Sequence, residues 1–336
     1  MKGTLPTLEG WHRTALVLCV MAAAVVCYWP AVRSLLPYWN NTDVLTYTHG
    51  YLVAAVSLWL VLRNHRQIAA APLTPRPWAA AGVLLIGFIW LIAYNSGIQI
   101  GYLVLLPVLI WTAVHAVFGW STARWCLFPC AYLYFAIPVW NFVNGAAQWG
   151  TVFAVRSLLR SVGIPAYFDE RFVQIPSGLF EIAGGCSGLN FIIVALALAV
   201  LLGEVRRDTV GARVKLVALA LGLALLSNWL RVFLIILAGH LTHMQHYLVR
   251  VSHEGFGWVG FAIFMALFFL VARSIGSDAP TPPAPSARAA PLPRNLRAAA
   301  VLVLLALAVP ASWGIVNARM PAPEARAHWP PPAPAG

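Results

Sequence analysis

Charge is scarce in this sequence. Only 10% of its 336 residues are charged and just ten are acidic, while 61% are hydrophobic. A soluble domain is nearer half apolar and a quarter charged, so this composition, with a mean hydropathy of +0.78, excludes an ordinary soluble fold. Several apolar runs reach the roughly 20 residues that cross a bilayer core of about 30 Å. The shortage of acids leaves a formal charge of +12. In a membrane chain such an excess reflects arginine kept on the cytoplasmic side rather than a nucleic-acid partner. No cleavable signal peptide is recognisable, because Met1 to Arg13 is polar and no small-residue cleavage site follows the first apolar run. No internal repeat is detectable, which argues against a transporter built from repeats. Cysteine is also sparse: four of the five, Cys19, Cys27, Cys126 and Cys130, lie in apolar spans and read as packing residues.

What is present divides into apolar spans at Thr14–Trp29, Tyr51–Leu62, Trp78–Tyr94, Ile98–Phe118, Trp125–Trp140, Ser187–Leu202, Leu216–Ala238, Phe256–Ala272 and Ala298–Val316. Pro129 and Pro138 predict a kink or break in the fifth. Asn141 to Gly163 is helical in period, but Gln148, Arg156 and Arg160 make it amphipathic, an interfacial helix or a bundle helix with a polar face. Phe172–Ile175 and Leu179–Ile182 alternate around Pro176-Ser177-Gly178, a β-hairpin signal. The expectation is an all-α polytopic membrane protein with about eight to nine transmembrane helices and a small periplasmic β hairpin before Cys186. Residues 1–273 would form the main membrane domain, 274–297 a Pro/Ala/Arg-rich cytoplasmic linker, 298–316 the last span and 317–336 a Pro/Ala-rich periplasmic tail.

Orientation follows from the cations. With the N-terminus inside and 141–163 non-spanning, the inside segments hold 14 of the 22 Lys and Arg residues and every short loop obeys the positive-inside rule. Cys186, Arg231 and His253 then all face the outer side, each at the end of a different span. In a bacterium that side is the periplasm.

Each of these residues suits a role. Cys186 follows Gly184 and Gly185 and precedes an apolar helix, whose N-terminus favours a nucleophilic thiolate. The glycines let a peptide backbone come close. The competing reading is a small packing thiol. Arg231 is costly in an apolar run and belongs in a functional cavity, holding an oxyanion or a substrate carboxylate, unless it snorkels to the interface. Asn228, one turn earlier, would share that work or bond between helices. His253 would carry protons for a cysteine nucleophile. His49 also falls on the outer side, as a substrate contact or an interfacial cap. His240, His243 and His246 step by three residues, a spacing that would place three imidazoles on one helix face, yet no thiol or carboxylate joins them.

Gly185-Cys186-Ser187-Gly188, then Asn228-x-x-Arg231-Val232, then His253-x-x-x-Gly257-Trp258 resembles the exosortases, and Thr48-His49-Gly50-Tyr51-Leu52 resembles an N-terminal signature of that family. The resemblance runs from about Tyr47 to Phe261 and rests on the order, spacing and topology of the motifs together. It implies a polytopic inner-membrane cysteine peptidase or transpeptidase that cleaves PEP-CTERM sorting tails and passes the product to water or an envelope acceptor, often in connection with exopolysaccharide. It places the family's cysteine, arginine and histidine on Cys186, Arg231 and His253, with Asn228, Ser187, His49 and Gly185 in support. No metal and no cofactor are expected, and a soluble C-terminal partner domain, fused in some relatives, is expected to be absent or truncated. The competing class is a non-catalytic transporter or scaffold for polysaccharide export, which would tolerate loss of the thiol. Pro176-Ser177-Gly178 lies outside any apolar span, which argues against a rhomboid-like serine protease.

Overall fold

The computed structural model describes residues 8–41, 46–247, 253–275, 293 and 295–319, with the side chains of 8–10, 253, 254 and 313–319 excepted. Most of the expected linker and the tail beyond 319 thus lie outside the described residues. Long apolar stretches with few breakers form helices: α1 (Leu8–Cys27), α2 (Trp29–Trp39), α3 (Gly50–Arg63), α4 (His65–Ala70), α5 (Ala80–Asn95), α6 (Gln99–Phe118), α7 (Trp120–Tyr132), α8 (Asn144–Ser161), α9 (Leu189–Arg206), α10 (Val210–Leu241), α11 (His253–Ala272) and α12 (Leu296–Arg319).

Among the described residues five helical segments are long and apolar enough to cross a bilayer, and up to seven are if each of two bent pairs counts as one span. The expected eight to nine is reached only by adding the shorter apolar helices Gly50–Arg63 and Leu296–Ser312. Hydropathy finds apolar length, and it does not see the bends. α1 and α2 meet at 80°, and α7 and α8 lie across a 56° bend. That second bend is the break the prolines predict. α7 gives way to a 3-10 turn at Leu133–Ala136, Ile137 is extended (φ −102°, ψ 137°), and Pro138 starts a new turn. Proline lacks an N–H and drives its predecessor out of the α region.

α8 resolves the ambiguity of 141–163 in favour of packing. Ala147, Thr151, Val155 and Leu159 recur every four residues and are buried, the spacing of a single helix face, and that face lies on α10. Trp149 and Phe153 are exposed on another.

One apolar core joins α1, α5, α6 and α7, with α12 closing over α5. A second joins α9, α10 and α11. Arginines tie the helix ends together. Arg13 donates to the Ala69 and Ala71 carbonyls, Arg63 to Val205, and Arg206 to Ala272 and Ile275. The C-termini of α4, α9 and α11 therefore share one end of the bundle, and the N-terminus of α9 lies about 26 Å away at 1.5 Å per residue.

At that opposite end is the β hairpin, as expected, with one more strand. β1 (Tyr167–Asp169), β2 (Phe172–Ile175) and β3 (Gly178–Glu181) form an antiparallel meander in the order β1-β2-β3. β1 was not foreseen because it is three residues long and joins β2 through Glu170, a non-glycine residue at φ 45°.

Gly119 shows how tightly the α6–α7 corner is built. Its φ of 81° and ψ of 174° lie in a region essentially reserved for glycine, and an added Cβ would sit 2.6 Å from the Thr74 carbonyl oxygen. Gly119→Ala is expected to destabilise the folded protein by about 2 kcal/mol or more, read as a lower unfolding midpoint in detergent.

Candidate active site

The site forms where the start of α9 meets the second half of α10. These helices are antiparallel neighbours, joined by a turn in which Arg207 adopts the left-handed conformation and Thr209 accepts a bond from Ala212 N. Returning along α9, α10 brings Asn228 and Arg231 to the loop that precedes α9.

That loop is a short, closed turn. Leaving β3, Ile182 donates to the Arg171 carbonyl at 2.8 Å and is buried. Cys186 N donates to Ala183 O at 2.8 Å and Ser187 N to Gly184 O at 3.2 Å, closing a 3-10 turn over Gly184–Cys186. The α9 helix proper begins at Leu189, beyond the Ser187 expected from the sequence. Ser187 is buried, and its hydroxyl accepts from Leu189 N at 3.2 Å, covering one of the free N–H groups of the helix start. Gly188 turns with φ +82°, and an added Cβ would lie 2.6 Å from Asn228 Cγ. Glycine is required there on both counts. A Cβ on Gly185 would meet open space instead, so packing does not demand glycine at that position.

Asn228, 1% exposed, donates through Nδ2 to Cys186 O at 2.9 Å and to Thr151 Oγ1 at 3.1 Å. Arg231, one turn on, places Nη2 3.6 Å from Cys186 Sγ. Its guanidinium carbon lies 5.5 Å from the Phe191 ring. Gly257 of α11 backs it, since a Cβ there would come within 2.7 Å of Arg231 Cδ. Among the described residues no carboxylate pairs with Arg231, and its buried Nε has no hydrogen-bond partner. Cys186 is half-buried. The arrangement presents a partly accessible thiol to a guanidinium that no described acid neutralises, with N–H donors in reach of the sulfur or of an oxygen held beside it.

The other expected residues fare differently. His253 opens α11 one helical turn before Gly257, but its side chain lies outside the described residues. His49 Nε2 is 3.0 Å from the Phe135 carbonyl and its ring stacks on Tyr47, a tie within the first half of the chain rather than to the thiol. The three-histidine series does not share a helix face. α10 stops at Leu241, His243 and Met244 have positive φ, and His240 Nδ1 meets Ser177 Oγ at 3.2 Å.

Two residues of the site were missed. Gln148 Nε2 donates to Ile182 O at 2.6 Å, and the Thr151 hydroxyl, fully buried, accepts from Asn228 Nδ2, donates to Ala147 O at 3.0 Å and lies 3.4 Å from the Ser187 carbonyl. They brace the two ends of the cysteine turn from α8. Their sequence signal is a pair of polar residues three apart, Gln148 and Thr151 around Trp149-Gly150, on one face of a largely apolar helix.

A polytopic helical membrane protein with a thiol, a guanidinium and a buried amide gathered at one end of two antiparallel helices is the class defined here. The chain belongs to the exosortase family: the family model described as Transmembrane exosortase (Exosortase_EpsH) matches residues 39–270, which include the whole site. No curated protein and no solved structure matches the chain.

Removing the Thr151 hydroxyl leaves a buried amide donor without its acceptor, a loss of about 1–3 kcal/mol. Thr151→Val should therefore lower the unfolding midpoint and change the alkylation rate of Cys186 by iodoacetamide, while Thr151→Ser restores both. Equal behaviour of the two variants would show that the hydroxyl holds nothing.

Proposed function

We propose that this protein is a membrane-embedded cysteine peptidase or transpeptidase that cleaves C-terminal sorting tails of the PEP-CTERM type at the periplasmic face of the inner membrane. The observation that carries the reading is the 3.6 Å approach of Arg231 Nη2 to Cys186 Sγ, at the end of the bundle opposite the Arg13, Arg63 and Arg206 anchors. Membership of the exosortase family supports the same reading.

In this mechanism the Cys186 thiolate attacks the carbonyl carbon of the scissile peptide, forming a C–S bond and a tetrahedral oxyanion. Arg231 holds first the thiolate and then the oxyanion with fixed N–H donors. As the oxyanion collapses, the C–N bond breaks and His253 gives its proton to the leaving amine. A thioester to Cys186 remains. Water, or an amine or hydroxyl of an envelope acceptor, then attacks the thioester, gives its proton to His253 and releases the thiolate. Water makes the protein a protease; an acceptor makes it a sorting transpeptidase, in keeping with a role in exopolysaccharide and matrix export. The chemistry needs no metal or cofactor.

The test is tail removal from a co-expressed PEP-CTERM protein in membranes, read by mass shift, with each variant matched for membrane abundance. Cys186→Ala should abolish cleavage. Arg231→Ala should slow it by about 10²–10³-fold, as loss of an oxyanion donor does, and His253→Ala by about 10²–10⁴-fold. A hydroxylamine-sensitive substrate adduct on Cys186 should accumulate if the acceptor is withheld. Full cleavage by Cys186→Ala would overturn the cysteine mechanism and leave a non-catalytic transport or scaffold role as the better account.

A further inference from the structure

The meander has two open edges, and they are not alike. Ile182 N donates to Arg171 O, so by the alternation of an antiparallel ladder Val173↔Phe180 and Ile175↔Gly178 are the hydrogen-bonded pairs of β2 and β3. Leu179 and Glu181 must then turn their N–H and C=O groups away from β2. Both residues are exposed, and among the described residues no hydrogen bond reaches either main chain. On β1 the same alternation leaves only Phe168 facing outward, and the Arg156 guanidinium sits 4.7 Å over its ring. The edge of β3 is the larger opening.

That edge is fixed relative to the thiol. Phe180 packs on Gly239 and Gly178 on Met244, while Ser177 Oγ meets His240. Gly239 and His240 belong to the end of α10, the helix that carries Asn228 and Arg231, and Met244 lies in the turn just past it. Five residues beyond Glu181 the chain reaches Cys186, a separation of at most about 17 Å at strand spacing and less through the 3-10 turn.

We propose that the outer edge of β3 receives an extended stretch of the protein substrate as a fourth strand, beside the peptide bond that Cys186 attacks. This rests on the cysteine-peptidase reading and deepens it. Leu179 and Glu181 each offer one donor and one acceptor, the complement of an extended backbone. A second copy of the chain is a poor occupant: two outward residues cover far less than the roughly 1,000 Å² a stable interface needs. A substrate that must leave after cleavage needs only a short ladder. Backbone pairing reads extension rather than sequence, so the tail must be unwound at the cleavage site, with any helical anchor starting beyond it.

A photo-crosslinking residue at position 179, placed in Cys186→Ala so that binding is read without chemistry, tests this with a co-expressed PEP-CTERM protein. Crosslinks should map within a few residues of its cleavage site. Crosslinks only to another copy of the chain, or to no substrate, would overturn the proposal. Leu179→Pro removes an outward N–H and no bond of the sheet. It should raise the apparent KM for tail cleavage about fivefold over Leu179→Ala, the factor that one net hydrogen bond is worth, with kcat held. Equal KM values in the two variants would also overturn it. If Leu179→Pro fails to accumulate, the crosslink decides. Substrate crosslinking at 179 together with full cleavage by Cys186→Ala would sink the thiol mechanism while leaving the docking edge intact; the reverse pattern would do the opposite.

Discussion

The buried amide of Asn228 fixes the site. An amide taken out of water without partners costs several kcal/mol, so its bonds to Thr151 and to the Cys186 carbonyl leave little freedom to the three elements they join. α8, α10 and the cysteine turn are located against one another by a single NH₂ group. Gly188 follows from this, since only a residue without Cβ lets the turn come so close to Asn228. The thiol–guanidinium distance follows too, because Arg231 is one turn further along the helix that the amide has already placed.

Two uses of arginine in this chain contrast with each other. Arg13, Arg63 and Arg206 spend their N–H groups on helix-end carbonyls, which satisfies acceptors that no helix can satisfy internally. Arg231 meets a sulfur and an aromatic face instead. A carboxylate beside it would lower the cost of the buried charge, but would also occupy the donors and cancel the field at the thiol. Among the described residues that guanidinium has no carboxylate and its Nε no partner, an expensive state in an apolar bundle that separates it from the structural cations.

Much of this was legible in the sequence, and the reasons are specific. Apolar run length gave the apolar helices but not the number of spans, strict alternation around Pro176-Ser177-Gly178 gave the hairpin, and Pro138 gave the break before α8. The meeting of Cys186 with Arg231 followed from counting sides of the membrane, because residues at the ends of antiparallel neighbours are close whatever the packing. What stayed hidden depends on angle and partner. Hydropathy cannot show that two helices meet at 80°, nor that a threonine on an amphipathic helix is the acceptor for an asparagine 77 residues away. The histidine series shows the same limit: its spacing fits a helix, but α10 ends at Leu241 and His243 and Met244 are left-handed.

The length of α10 explains why a water-facing sheet and a membrane-buried arginine can share one site. Its 32 residues extend about 48 Å at 1.5 Å per residue, well beyond a hydrocarbon core of about 30 Å. From Val210, Arg231 lies about 32 Å along the axis and Gly239 about 12 Å further. A helix that enters the apolar layer near Leu216, past Arg213 and Lys215, carries Arg231 about 22 Å into a core of about 30 Å and its closing turns past the far boundary. Those turns hold β3 through Gly239 and His240. The rigid rod that sets the depth of the guanidinium thus also sets the height of the sheet above it. The cysteine turn, strung between β3 and α9, is pinned at both ends, to the sheet by the Ile182 bond to Arg171 and to α10 by Asn228.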